Sequence, residues 1–301
     1  MLTAVDLFCG SGGLSAGMID AGVEVVSAYD NWPAAVRSYR RNIADHVVEF
    51  DLADVDAVVR EISGCGADII VGGPPCQDFS TAGKRREGER ANLTVSFALV
   101  VSRYNPRFFL MENVPQVRLS GSYETMREIL APDGYRFREF VLDASLCGVP
   151  QSRKRFFSFG WRGRTERPGD RFAHWIDEHR ADEKLTVKKY LKSEIDVEHY
   201  YRHPRNYSRR SVFSVYEPSP TIRGVNRPVP PNYKGNHLDT VPPSSVRPLT
   251  TRERSRIQTF PSCWDWDASD RNADTELQIG NAVPVNLAAF VTKGLLHAAA
   301  R

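Results

Sequence analysis

A doubly wound, mostly parallel α/β sheet with a small irregular second domain is the architecture this 301-residue chain predicts. A strand, a glycine turn and a helix open it, and short apolar runs then alternate with helical spacings to about residue 163. From 164 the pattern gives way to a stretch rich in Arg, Tyr, Pro and Asn, with too little apolar mass for a large core.

Residues 2–8 (LTAVDLF) read as the first strand. Gly10, Ser11, Gly12 and Gly13 follow, then Leu14, Ala16, Met18 and Ile19 at helical spacing. This is the opening of a nucleotide-binding βαβ unit, where glycine lets the backbone approach a ligand. Residues 23–29 are the second strand, ending at Asp30, an acid placed to grip ribose hydroxyls. The pattern suits a dinucleotide and S-adenosylmethionine alike. Residues 33–43 read as a helix, 47–50 as a strand ending at Asp51 (a second candidate for the adenosine half of a ligand), and 55–62 as a helix.

Residues 67–71 (ADIIV) have the unbroken apolar character of a buried parallel strand. Gly72, Gly73, Pro74 and Pro75 break it sharply, and Cys76 and Gln77 come next. Residues 84–90 (KRREGER) form a polar loop and 93–104 an amphipathic helix. Residues 107–111 (RFFLM) are a strand with Glu112, Asn113 and Val114 at its end. A helix over 123–130 and strands over 137–142 and 155–159 follow. Helices over 251–259 and 285–299 close the chain, regular structure resuming near Thr250 after a first domain over 1–163 and a small second one over 164–246.

The content of 41% hydrophobic and 26% charged residues is that of an ordinary globular protein. The net charge of +3 says little about partners, but its distribution says more. Arg202, Arg205, Arg209, Arg210, Arg223 and Arg227 are interleaved with Tyr200, Tyr201, Tyr207, Phe213 and Tyr216. Such a mixture suits phosphate and base contacts, or a solvated basic face. The five cysteines are scattered without CxxC or Cys/His spacing, so no metal site or disulfide framework is expected. Asp6 and the glycines interrupt the region where a signal peptide needs an apolar core. No stretch reaches the roughly 18 apolar residues of a membrane span.

Parallel strands place their carboxyl ends on one edge, so the glycine loop, Asp30, Cys76 and Glu112 should face one crevice. By position alone, Cys76 is as well read as a small buried residue as a nucleophile.

Six motifs in order then carry a resemblance over roughly 1–163 and 247–301: DLFCGSGGLSAG, GGPPCQDFS, MENV, GVPQSRKR, RPLTTRERSRIQTFP and QIGNAVPVN. The chain resembles the bacterial-type cytosine-5 DNA methyltransferases. That resemblance implies a Rossmann-like S-adenosylmethionine-dependent domain, a target-recognition domain over 164–246, and methyl transfer to carbon 5 of a flipped cytosine in a specific duplex sequence. S-adenosylmethionine would leave as S-adenosylhomocysteine. Cys76 would add to carbon 6, although an ordinary thiol is mostly protonated at neutral pH and needs neighbouring positive charge to ionise. Glu112 would hold ring nitrogen 3 and the exocyclic amine, Arg153 the carbonyl oxygen, and Arg155 would support this site or bind phosphate.

The positions carried over for the cofactor are Phe8, Gly10, Gly12, Leu14, Asp30, Asn31, Asp51, Pro74, Asn281 and Ala282. Asp30 stands where the family usually has Glu. Asn31 stands where an aromatic often stacks on adenine, with Trp32 next. Val285 replaces a common proline. Gln77, Ser80, Lys84 and Arg90 fall in the loop that closes over DNA in the family, and Arg205, Arg209, Arg210 and Arg223 lie where the groove would be read. The resemblance implies duplex DNA as partner, is compatible with a separately acting restriction endonuclease, and leads us to expect a monomer in the cytoplasm, at the bacterial nucleoid. A tRNA cytosine-5 methyltransferase on the same fold would keep Cys76 and Glu112, but the Cys-Phe-Thr motif of its eukaryotic type is not found here. A nicotinamide-dependent dehydrogenase would leave PPCQ and ENV unexplained, and a binding module without activity would not need Cys76, Glu112 and Arg153 together.

Overall fold

The computed structural model describes residues 1–75, 93–266 and 270–300. In chain order its first part is β1 (Thr3–Leu7), α1 (Gly13–Asp20), β2 (Glu24–Asp30), α2 (Pro33–Asn42), β3 (Val47–Glu49), α3 (Val55–Ile62), β4 (Ile69–Gly72), α4 (Leu93–Tyr104) and β5 (Phe108–Asn113). Then come α5 (Gly121–Leu130), β6 (Tyr135–Asp143), β7 (Gln151–Ser152) and β8 (Lys154–Arg162). One seven-stranded sheet has the order β3-β2-β1-β4-β5-β8-β6. Strands β1 to β5 run parallel, and β8 is antiparallel to both β5 and β6. The expected doubly wound sheet is therefore the fold. Its strand order reverses between β1 and β4, and the crevice beyond their carboxyl ends is where such sheets bind ligands.

Ala4, Ile69, Val71, Phe108 and Leu110 pack into one core with Leu14, Met18, Leu287 and Val291. Their strand neighbours Val5, Leu7, Ile70, Phe109 and Met111 pack into another with Val58, Phe97, Val101 and Met126. Both faces of the sheet are covered, which is why its strands read as unbroken apolar runs.

The rest comprises α6 (Arg167–His179), α7 (Val187–Leu191), β9 (His199–Tyr201), β10 (Val212–Ser214), β11 (Ser219–Pro220), α8 (Thr251–Ile257), α9 (Asn272–Asn281) and α10 (Val285–Ala299). Helices α6, α7 and α9 are absent from the sequence reading. In α6 the Pro168-Gly169 pair resembles a turn, yet proline is favoured in a first helical turn. A Cβ at Gly169 would lie 2.3 Å from the Trp161 ring. The helix carries Phe172, Trp175 and Ile176 into the first core, so the stretch after 164 is less irregular than its composition suggests. Val187, Leu191, Ile195, Tyr200, Val215 and Ile222 form a small separate core, completed by Leu249, Ile257 and Ile279. Asn272–Ala299 is long and apolar enough to cross a membrane, contrary to the sequence reading, but Pro284 separates α9 from α10 and 67% of its most apolar window is buried.

Candidate active site and nucleic-acid cleft

The loop after β1 begins with left-handed backbone: Phe8 at φ 62°, Gly10 at 53° and Gly12 at 90°. At Gly10 the space a Cβ would take is open, so conformation alone favours glycine there. At Gly12 a Cβ would meet Ile43 at 2.3 Å, so this glycine permits close packing against α2. Asp30 ties the loop to the next turn: its carboxylate accepts the Gly10 N–H at 2.8 Å and the Trp32 N–H at 2.9 Å. Burial raises its pKa, and those backbone donors oppose the rise. Ser11 donates to Gln278 at 2.7 Å, tying the loop to α9.

A cleft of about 1230 Å³ opens at this edge. Phe8, Gly10, Leu14, Asp30, Asn31, Asp51, Pro74, Asn281 and Ala282 all line it; among the proposed cofactor residues Gly12 does not. Trp32 and Gln278 line it too. The first was noticed only as the neighbour of Asn31; the second was hidden inside QIGNAVPVN. Carboxylates at two strand ends beside the aromatic rings of Phe8 and Trp32 form a donor set that fits an adenosine ligand.

The far wall of the cleft carries Gly73, Pro74, Pro75, Glu112, Arg153 and Arg155. Asn113 donates to the Pro74 carbonyl at 2.8 Å and accepts the Val114 N–H at 2.8 Å, so the end of β5 fixes the turn after β4. Glu112 is buried and pairs with Arg155 at 2.9 Å. Desolvation raises its pKa, while the charges of Arg155 and Arg153 pull it down. Its other oxygen, Oε2, faces the turn, 3.3 Å from where a Cβ on Gly73 would stand.

The two arginines, for which the sequence suggested a shared site, have different partners. Arg153 donates to the carbonyls of Ile222 (3.1 Å), Gly280 (3.1 Å) and Ala282 (3.2 Å), and only 1% of it is exposed. Its terminal nitrogens are occupied by backbone, whereas Arg155 is the arginine beside Glu112. Cys76, Gln77, Ser80, Lys84 and Arg90 lie outside the described residues.

Arg205, Arg209, Arg210 and Arg223 line a second cleft, of about 840 Å³, with Gln116, Lys154 and Arg202. Arg155 and Arg205 border both clefts, so the two adjoin. Arg210 is held by Glu217 at 2.7 Å and lies over the Phe213 ring. Arg205 and Arg209 are exposed and make no ion pair among the described residues. Burial and the nearby Arg205, Arg254 and Arg227 lower the pKa of Arg223; burial first and Arg223 next bring Arg202 down to about 10. This crowding of positive charge is what an anionic backbone would relieve. Lys154, inside GVPQSRKR, and Gln116, two residues after MENV, line this cleft without having been singled out from the sequence.

The C-5 cytosine-specific DNA methylase family profile matches residues 2–297. The chain is 48% identical over 295 residues to the Type II methyltransferase M.HgiDI of Herpetosiphon aurantiacus, across 98% of this chain and 94% of that protein. It is 45% identical over 299 residues to M.HindV of Haemophilus influenzae, across 98% and 97%. Its fold matches that of the S. pombe Dnmt2 methyltransferase with a TM-score of 0.73, at 19% identity and over 98% of both chains.

Proposed function

The chain belongs to the C-5 cytosine-specific DNA methylase family and is a DNA cytosine-5 methyltransferase, and from that premise we propose that it acts through a covalent adduct between Cys76 and a cytosine turned out of a specific duplex sequence. The observation carrying this reading is the Glu112–Arg155 pair, set where the cofactor-type cleft meets the basic cleft. Extruding the base costs a few kcal/mol of unstacking, offset by contacts in the pocket.

Cys76 follows Pro75, whose turn is fixed by Asn113. Its thiolate, the thiol proton already given to solvent, adds to carbon 6, forming the S–C6 bond and opening the C5=C6 double bond. Glu112, raised toward its protonated form by burial, donates to ring nitrogen 3 and accepts from the exocyclic amine with its other oxygen. Arg155 presents Nη2 to the carbonyl oxygen, because its Nε serves Glu112 and its Nη1 the Lys154 carbonyl. Phe8, Gly10, Asp30, Trp32, Asp51 and Asn281 would hold S-adenosylmethionine, which would supply carbon 5 with an electrophilic methyl group as its methyl–sulfur bond breaks to leave S-adenosylhomocysteine. A base then removes the carbon 5 proton, C5=C6 re-forms and the thiolate of Cys76 leaves.

Residues 164–246 carry sequence recognition in this reading, with α6 packed on the catalytic core and Arg205, Arg209, Arg210 and Arg223 along the DNA path. The protein acts as a monomer beside the bacterial nucleoid, and a cognate endonuclease would act separately.

The test is incubation with methyl-labelled S-adenosylmethionine and duplex DNA or tRNA, followed by bisulfite sequencing. We expect label at one short DNA sequence, and none with Cys76→Ala, which should still bind S-adenosylhomocysteine. Transfer to tRNA alone, or undiminished transfer by the variant, would overturn the proposal.

A further inference from the structure

We propose that Arg153 is a positioning residue that holds the DNA-side segment 221–224 and the cofactor-side turn 280–282 in one register, so that filling either cleft strengthens binding in the other. The inference rests on the preceding reading for what each cleft holds.

One guanidinium spans the two sides. Its Nη1 reaches Ile222, next to Arg223 of the basic cleft, and its Nη2 reaches Gly280 and Ala282, either side of Asn281 in the other cleft. Among the described residues it has no carboxylate to itself, because Glu112 is taken by Arg155, and its Nε is buried without a hydrogen-bond partner. A buried charge on carbonyls alone is a costly way to fill space. Joining three carbonyls from two distant segments is something its forked donors do and an apolar side chain would not.

The segments it joins have no slack. A Cβ on Gly280 would lie 2.1 Å from the Gly224 nitrogen. Arg254 donates to the Arg223 carbonyl and pairs with Glu276 of α9 at 2.5 Å. A buried glutamine pair ties them again: Gln151 accepts the Ile222 N–H and donates to Gln258, and Gln258 donates to the Ala282 carbonyl. A shift of 221–224 on DNA binding would therefore be carried to 280–282. Linkage requires the reverse effect to be equal.

The test is calorimetric binding of S-adenosylhomocysteine with and without a duplex fragment that the enzyme methylates. Wild type should bind it at least about fivefold more tightly with the duplex, the lower end of ordinary coupling. Arg153→Lys keeps the charge but loses the fork, and the ratio should fall toward unity. A merely structural loosening would weaken both affinities and leave their ratio. A wild-type ratio of unity, or an unchanged ratio in the variant, would overturn the inference. Should that variant not fold, hydrogen exchange on wild type decides: duplex alone should protect the amides of 279–283, and unchanged exchange there refutes the coupling. Methyl transfer without linkage strikes this inference alone; absence of transfer strikes the proposed function.

Discussion

Asp6 lies in the middle of β1, fully buried beneath the glycine loop, and accepts from Ser15 at 2.6 Å. Burial pushes its carboxyl from an ordinary 3.8 up to about 7, the Ser15 hydrogen bond opposes the rise, and the Asp30 charge adds to it. A carboxyl raised on folding costs stability once it ionises. The cost begins above the unfolded value and is complete above the folded one. A rise of about three pH units amounts to about 4 kcal/mol, of which about 2.5 kcal/mol falls between about pH 5 and pH 8. Asp6→Asn removes that dependence. It keeps an acceptor for Ser15 but places an amide N–H where Oδ1 has no hydrogen-bond partner among the described residues, a cost of about 1–3 kcal/mol at every pH. The constant cost cancels when the two pH values are compared. Urea unfolding of both proteins across this range should show the variant gaining about 2.5 kcal/mol on wild type as pH rises. Parallel stability curves would show that Asp6 does not titrate as its burial implies.

Glu112→Gln keeps the shape but cannot protonate nitrogen 3, and should lower single-turnover methyl transfer by about 10²–10⁴-fold, the usual worth of a general acid; a smaller loss than tenfold contradicts the role given to it. Since burial raises Glu112, transfer that needs its proton should decline as pH rises through that raised value, and a pH–rate profile that stays flat there counts against proton donation. Gly280→Ala forces a methyl into the Gly224 backbone and should destabilise the fold by about 1–3 kcal/mol in denaturant, as overpacking does, with no loss if the crossing is looser than drawn. Replacing the exposed Arg209 with Ala should reduce the salt dependence of DNA binding by about one phosphate contact, and an unchanged slope would place it off the DNA path.

The mostly parallel sheet and the placement of chemistry at one edge were legible because they follow from short-range rules. Alternating apolar runs imply a parallel sheet, and a parallel sheet puts Asp30, Pro74 and Glu112 at the same end. Arg153 and Arg155 were not separable this way. They stand two residues apart on either side of Lys154, and which one reaches Glu112 depends on where the chain brings Ile222, Gly280 and Ala282. Helix α6 was hidden because its Pro-Gly start looks like a turn until Trp161 is seen lying over Gly169.

By itself, then, the sequence determined the fold class, the order of the motifs and the gathering of the glycine loop, Asp30 and Glu112 at one sheet edge. Those properties are written in spacing and side-chain chemistry, and spacing survives without coordinates. Tertiary structure alone decided that Gly12 packs against α2, that Arg155 takes the carboxylate while Arg153 clamps backbone from two segments, and that the arginines after 200 share a cleft with Arg155. Each of these depends on contacts across 27 (Gly12 to Tyr39) to 129 (Arg153 to Ala282) positions of chain, and such contacts exist only once the backbone has closed on itself.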